Sequence, residues 1–231
     1  MKHKKKVVIL LSAGLDSTVN AFEAIKHHHE VVLALTFDYG QRAAVKEIES
    51  AARIAAYLKI PHKVIELPWF KDFNQSSLLQ EDQKIPTGKE VEIDNLAVSE
   101  QTARSVWVPN RNGIFLNIAA AYAESLGADT VIPGFNAEEA ATFPDNSRDY
   151  LEQATKAMFY STSNHVKVGC YTAHLKKNDM VLLGQGLGIP WKMIWPCYFA
   201  GDQWCGQCES CQRSKRAFKA AGLNTQSLFK E

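Results

Sequence analysis

KVVILLSAGLDSTVNAF, residues 6–22, runs an apolar, β-branched segment into a turn of small residues and then into a helix-forming stretch. Residues 6–11 read as a buried strand and residues 16–28 as a helix, so the turn at 12–17 joins the two. Such a turn leaves several backbone N–H groups unpaired at the positive end of a helix dipole, a ready site for phosphate. The pattern GxxxxGK[ST] needs a lysine that this turn lacks, and GxGxxG needs glycines that it also lacks. Ser12 or Asp16 could instead simply cap the helix. Asp16 points further, because a carboxylate among phosphates needs a divalent cation between them, and magnesium-bound nucleotide supplies one.

Outward from that turn, short β-branched runs alternate with longer helical ones. Residues 31–37 read as a second strand, which completes a βαβ unit. Ala44, Ile48, Ala51, Ala52, Ala55 and Leu58 share one face of a helix over 42–58, Pro61 marks its break, and residues 63–67 supply a third strand. A helix over 113–126, a strand over 130–132, a helix over 148–160 and a short strand over 166–168 continue the series. This alternation predicts an α/β fold with a mostly parallel, Rossmann-like sheet covered on both faces. Residues 68–98 are polar, hold two prolines and lack periodicity, which suggests a mobile active-site loop that a ligand orders.

Composition narrows the class. The chain has 231 residues, 46% of them hydrophobic, enough for one main domain with a small appendage. We divide it into residues 1–190 and a C-terminal lobe, 191–231. Its 26 Lys and Arg balance 25 Asp and Glu, so no bulk field holds a nucleic acid or a membrane surface, and a small substrate is favoured. The basic start MKHKKK is followed by too few apolar residues for an export segment or a membrane span, which predicts a solvated tail on a cytoplasmic protein.

Four of the five cysteines fall in CYFAGDQWCGQCESC, residues 197–211. Thiolates of Cys197, Cys205, Cys208 and Cys211 can complete a tetrahedron around one zinc ion, and a closed four-sulfur site is structural rather than catalytic. An iron–sulfur cluster is the sharp alternative, although such clusters usually draw one ligand from farther away. The fifth, Cys170, reads as a small buried hydrophobe. His27, His28 and His29 are consecutive at a helix end and are read as solvated or interacting with its dipole rather than as metal ligands. Trp191, Trp195 and Trp204 are expected to pack the cysteine lobe onto the main domain.

SAGLDST, residues 12–18, resembles the SGGxDS loop of the PP-loop ATP pyrophosphatases, which share the adenine nucleotide alpha hydrolase-like fold. FDYGQR at 37–42, VPNRN at 108–112, FPDNSRDY at 143–150 and the cysteine cluster resemble, in that order, the motifs of the 7-cyano-7-deazaguanine synthases. The likeness spans nearly the whole chain. It implies a carbon–nitrogen ligase that makes 7-cyano-7-deazaguanine from 7-carboxy-7-deazaguanine and ammonia, consuming ATP, in the supply of queuosine-type tRNA precursors. It also implies magnesium with the ATP, structural zinc and a homodimer.

Carried onto this chain, the likeness places ATP on Leu11, Ser12, Ala13, Gly14, Leu15, Asp16, Ser17, Thr18, Val19, Asn20 and Ala21. Asp16, Ser17, Lys177 and Arg111 are the implied catalytic residues, with Lys177 steadying the phosphates. Tyr39, Arg42, Arg111, Glu139 and Asp145 are the implied substrate contacts, both arginines lying in loops just past strand ends. Two departures stand out. Ala13 occupies the place of a glycine, and costs about 1 kcal/mol if the loop requires a positive φ there. Between Gly134 and Asp145 the family usually has an aspartate, an aromatic residue and SGYPDCR, whereas this chain reads FNAEEAATFPDNSR, with one residue inserted before Arg148 and Glu139 as the candidate replacement for the aspartate. The rival readings are a tRNA thiolase of the same superfamily, a related amide or nitrile synthase acting on another acid, and a catalytically idle zinc-bearing module. No room remains for a glutaminase domain, so free ammonia is the expected nitrogen source.

Overall fold

The β-branched runs assemble side by side, as their burial on both faces requires. The computed structural model describes residues 4–73 and 75–230, so the first three residues of the basic tail lie outside the described residues. In chain order the elements are β1 Lys6–Leu10, α1 Leu15–Lys26, β2 Glu30–Asp38, α2 Ala44–Leu58, β3 His62–Glu66, α3 Leu96–Val106, α4 Arg111–Ser125, β4 Thr130–Ile132, α5 Ala137–Ala140, α6 Arg148–Ser161, β5 Lys167–Val168, α7 Lys177–Gly186 and α8 Glu209–Ala220. The strands form one sheet in the order β3-β2-β1-β4-β5, and every pairing is parallel. That is the Rossmann order, and its switch point lies between β1 and β4.

The period of two along β1 distributes the core. Val7 and Ile9 join Val19 and Ala21 of α1, Ala51 and Ile54 of α2 and Met180 of α7 on one face. Val8 turns the other way, joining Leu35, Leu116 and Ala120 of α4, and Leu151 and Met158 of α6. The first face is completed by the C-terminal segment, whose Trp195, Cys197, Trp204, Cys208, Cys211, Phe218 and Phe229 belong to the same buried cluster. Trp191 and Trp204 both pack on Phe218, with ring centroids at 5.1 and 6.2 Å. A β-carbon at Gly184 of α7 would lie 2.3 Å from the Trp191 ring, so only glycine lets this helix and the lobe approach so closely.

Three expectations are corrected. The stretch over 68–98 is packed rather than loose: Phe70, Leu78, Leu79, Ile85 and Val91 are buried, and Thr87 bridges to Cys208 in the C-terminal segment. These anchors are spaced irregularly, so no periodicity exposes them. The structure also has a helix, α3, that begins inside this stretch. Arg111, expected in a loop after a strand, is the first residue of α4 and follows Asn110, whose φ is 51°.

Among the described residues, no helix is long and apolar enough to cross a membrane.

Candidate active site

β1 ends against the turn that opens the sequence, and the turn lies at the carboxyl edge of the sheet beside the switch point. Ala13 adopts φ 60°, so the loop does require the left-handed conformation that the substituted glycine would supply without cost. Its methyl is fully buried and its carbonyl accepts the Trp195 N–H at 2.7 Å, contacts that hold the strained residue in place. The first intrahelical bond of α1 runs from Thr18 N–H to Gly14, which leaves the N–H groups of its first turn without helical partners. Ser12 and Ser17 hydroxyls meet at 3.2 Å across the turn.

The opposite wall comes from the segment after β4. A β-carbon on Gly134 would fall 2.4 Å from Ser17 N and 2.6 Å from its Cα, so two backbones touch here and glycine is obligatory. Asn136 then does two jobs. Its amide nitrogen donates to Asp16 Oδ1 at 3.0 Å, and its oxygen caps α5 by accepting from the N–H groups of Glu138 and Glu139 at 3.0 and 2.9 Å.

Lys177 reaches this wall from the start of α7. Its ammonium is 2% exposed and lies 3.2 Å from Asp16 Oδ2 and 2.7 Å from Glu139 Oε1. Burial alone would lower the lysine pKa, but the carboxylates of Asp16 and Glu139 outweigh it and hold the group protonated. Asp16 itself is raised to about 6 by burial, reinforced by the Glu139 charge and opposed by Lys177. The backbone N–H of Lys177 is fixed at 2.9 Å by Glu138, whose other oxygen takes Arg213 at 3.4 Å and also Arg216, both from α8. Arg216 further pairs with Asp94 at 2.5 Å.

The cavity between these walls is also lined by Tyr39, Glu47, Arg111, Asn112 and Asp145. Arg111 donates to the Tyr39 hydroxyl at 3.3 Å; burial would depress its pKa, and the neighbouring Tyr39 and Asp145 more than offset that. Glu47 was not anticipated. It accepts from Gln41 Nε2 at 2.8 Å, and burial pushes its carboxyl up to about 7. In sequence it reads as one more charge on the outer face of a helix, and only the fold turns it inward.

Arg42 is placed elsewhere. It does not line the cavity, and its guanidinium donates to the carbonyls of Gln80 at 2.6 Å, Glu81 at 3.4 Å and Gln83, pinning the loop after β3. These bonds aim it at the loop after β3 and not at the cavity. Glu139 does reach the cavity, but one of its oxygens is occupied by Lys177. His27 and His29 do not gather a metal site; their rings stack against Tyr171, with centroids at 5.0 and 6.4 Å.

The sulfurs of Cys197, Cys205, Cys208 and Cys211 lie within 4.8 Å of one another, the group among the described residues best arranged to hold a metal ion. A tetrahedron of sulfurs each about 2.3 Å from zinc has edges of roughly 3.8 Å, and Cys205 and Cys211 sulfurs are 3.9 Å apart. Backbone N–H groups of Phe199 and Cys205 donate to the Cys197 sulfur at 3.4 and 3.3 Å, and those of Gln207 and Cys208 to the Cys205 sulfur at 3.4 and 3.3 Å. Donors aimed at sulfur favour the thiolate that a metal needs.

Known proteins resemble this chain along its whole length. The family model described as "Queuosine biosynthesis protein QueC" matches residues 6–222. A protein of Bdellovibrio bacteriovorus named 7-cyano-7-deazaguanine synthase is 78% identical over 231 residues, covering all of both chains. Proteins of the same name from Desulforamulus reducens and Methanosarcina mazei are 52% and 42% identical, covering 96% and 94% of this chain and 97% and 95% of their own. The chain belongs to the QueC family of queuosine biosynthesis proteins.

Proposed function

We propose that this chain is an ATP-dependent ligase that converts 7-carboxy-7-deazaguanine and ammonia into 7-cyano-7-deazaguanine. The observation that carries the reading is the buried Lys177 ammonium held by Asp16 beside a helix start whose first-turn N–H groups have no helical partners. Family membership supplies the choice of acid.

The turn over 12–17 and the first turn of α1 receive the phosphates, and Asp16 would hold magnesium, which would supply charge neutralisation there. The substrate carboxylate attacks the α-phosphorus, the bond to pyrophosphate breaks, and an acyl adenylate forms. Ammonia adds to its carbonyl carbon, loses a proton and expels AMP, leaving the amide. The amide oxygen then attacks the α-phosphorus of a second ATP, expelling pyrophosphate, and loss of AMP with two protons leaves the nitrile. Lys177 and Arg111 balance negative charge on the departing phosphates and on the acid. Tyr39, Glu139 and Asp145 face the organic substrate.

Most of this chemistry falls to residues 1–190, with Trp195, Pro196, Tyr198 and Ser210 of the lobe completing the cavity wall. The lobe, 191–231, holds one zinc ion on Cys197, Cys205, Cys208 and Cys211, where it supplies cross-linking and no reaction step. The protein works as a cytoplasmic homodimer drawing on free ammonia, without nucleic acid or membrane partners; the even charge balance supports the absence of both.

Incubating the purified protein with ATP, ammonia and the acid should give the nitrile, AMP and pyrophosphate by mass spectrometry. Asp16→Ala should abolish all three while preserving fold and metal content, and unchanged turnover would refute the assignment.

A further inference from the structure

Trp107 and Phe143 come from separate segments and meet in one aromatic pair on the cavity wall. Trp107 follows the last turn of α3, and Phe143 precedes the short turn Pro144–Asn146. Their rings lie within 5° of parallel with centroids 6.0 Å apart, an offset stack. Trp107 is 36% exposed, so the pair is not filler for the core. A flat, partly exposed aromatic surface beside hydrogen-bonding groups is what a planar heterocycle stacks on.

Two heterocycles enter the proposed reaction, adenine and the deazapurine, and the neighbours of Phe143 discriminate between them. The turn that follows Phe143 carries Asp145, which accepts from Asn146 at 3.1 Å and from Asn112. Glu139 is tied to the same place, its carbonyl accepting the Phe143 N–H at 2.7 Å. Carboxylates accept hydrogen bonds and give none when ionised. A guanine-like edge offers adjacent N–H donors to such an acceptor, whereas adenine sets an acceptor nitrogen beside its one amino group and meets repulsion. Phe37, near the end of β2, and Gln41, just beyond it, line the cavity from a different strand and leave the adenine a separate wall.

We propose that Trp107 and Phe143 form the stacking platform for the deazapurine ring of the acid, with Asp145 at its donor edge. The assignment rests on the function proposed above. It adds two residues that set specificity for a flat bicyclic acid over small aliphatic or single-ring acids.

The test is calorimetric titration of 7-carboxy-7-deazaguanine into the full-length protein holding a non-hydrolysable ATP analogue, with the analogue itself titrated separately. Trp107→Ala and Phe143→Ala should each raise the Kd for the acid about ten- to a hundredfold, the range expected for losing one base–aromatic stack. The Kd of the ATP analogue should stay within about twofold, and Trp107→Tyr should recover most of the binding lost in the alanine variant, because a flat ring returns. Equal acid affinity in all variants overturns the platform. Weakened analogue binding with unchanged acid binding assigns the pair to adenine and overturns it as well. Absence of acid binding by the unmodified protein overturns the underlying function, and the platform falls with it.

Discussion

Lys177 and Glu139 meet at 2.7 Å at the cavity wall, and the same ammonium lies 3.2 Å from Asp16 Oδ2. One buried cation thus answers two carboxylates, and the three side chains carry a net charge of about −1 when Asp16 is ionised. Lys177→Met should reduce AMP and pyrophosphate formation by about a hundred- to a thousandfold, the usual cost of deleting a charged donor to a transition state. Pyrophosphate-release kinetics check it. A loss below about threefold would mean the lysine only neutralises its neighbours.

Glu139 contacts that lysine and also lines the cavity proposed for the substrate. Glu139→Gln should therefore slow ATP cleavage and weaken the acid together, lowering kcat/KM about ten- to a hundredfold. Parallel titrations of ATP and acid decide the matter. A defect confined to the acid would show that the carboxylate reads the base and leaves Lys177 in place.

Gly134 has no room for a side chain against Ser17. Gly134→Ala should push the start of α1 away from β4 at a cost of about 2 to 3 kcal/mol, lowering Tm by roughly 4 to 10 °C and raising the KM for ATP. Calorimetry and steady-state kinetics on the same preparation test both halves. An unchanged Tm would contradict the close approach.

The cysteine geometry predicts colourless protein with about one zinc per chain. Cys208→Ser should lose the metal and lower Tm, read by elemental analysis and thermal melting. Brown protein absorbing near 400 nm, as expected for an iron–sulfur centre, would replace zinc with a cluster.

Glu47 gives the stability a pH dependence. Its folded pKa of about 7 lies above its ordinary value of 4.5, because burial disfavours the charged form. The folded state therefore binds this proton more tightly, and its contribution to stability is present below pH 4.5 and lost as pH rises to about 7. The loss is at most about 3 kcal/mol, less where water screens the group. Glu47→Gln should flatten the fall in urea midpoint between pH 5 and 8; identical slopes would remove Glu47 as its source.

Some of this was legible in the sequence and some was not. The first strand, turn and helix are read from local periodicity, and Ala13 advertised its positive φ by replacing a glycine. The cysteine site was legible because all four ligands fall within fifteen positions. Lys177 could be matched to a motif, but its contacts with Asp16 and Glu139 are long-range facts that no spacing announces. Arg42 misleads for the converse reason: a motif arginine looks the same whether it faces a ligand or three carbonyls. Phe70, Leu79 and Ile85 anchor the strap after β3 at intervals with no period, so a packed segment reads as loose.

The bond from Trp195 N–H to the Ala13 carbonyl also orders events in time. On the ribosome, the phosphate turn emerges early and its brace about 180 residues later, an interval of roughly ten to forty seconds at ordinary synthesis rates. Until then Ala13 lacks the bond that braces its unfavourable conformation, and the segment carrying Lys177 has not yet been joined by α8. A nascent or truncated chain should therefore leave ATP untouched, so that ATP cleavage begins only once the C-terminal segment has docked.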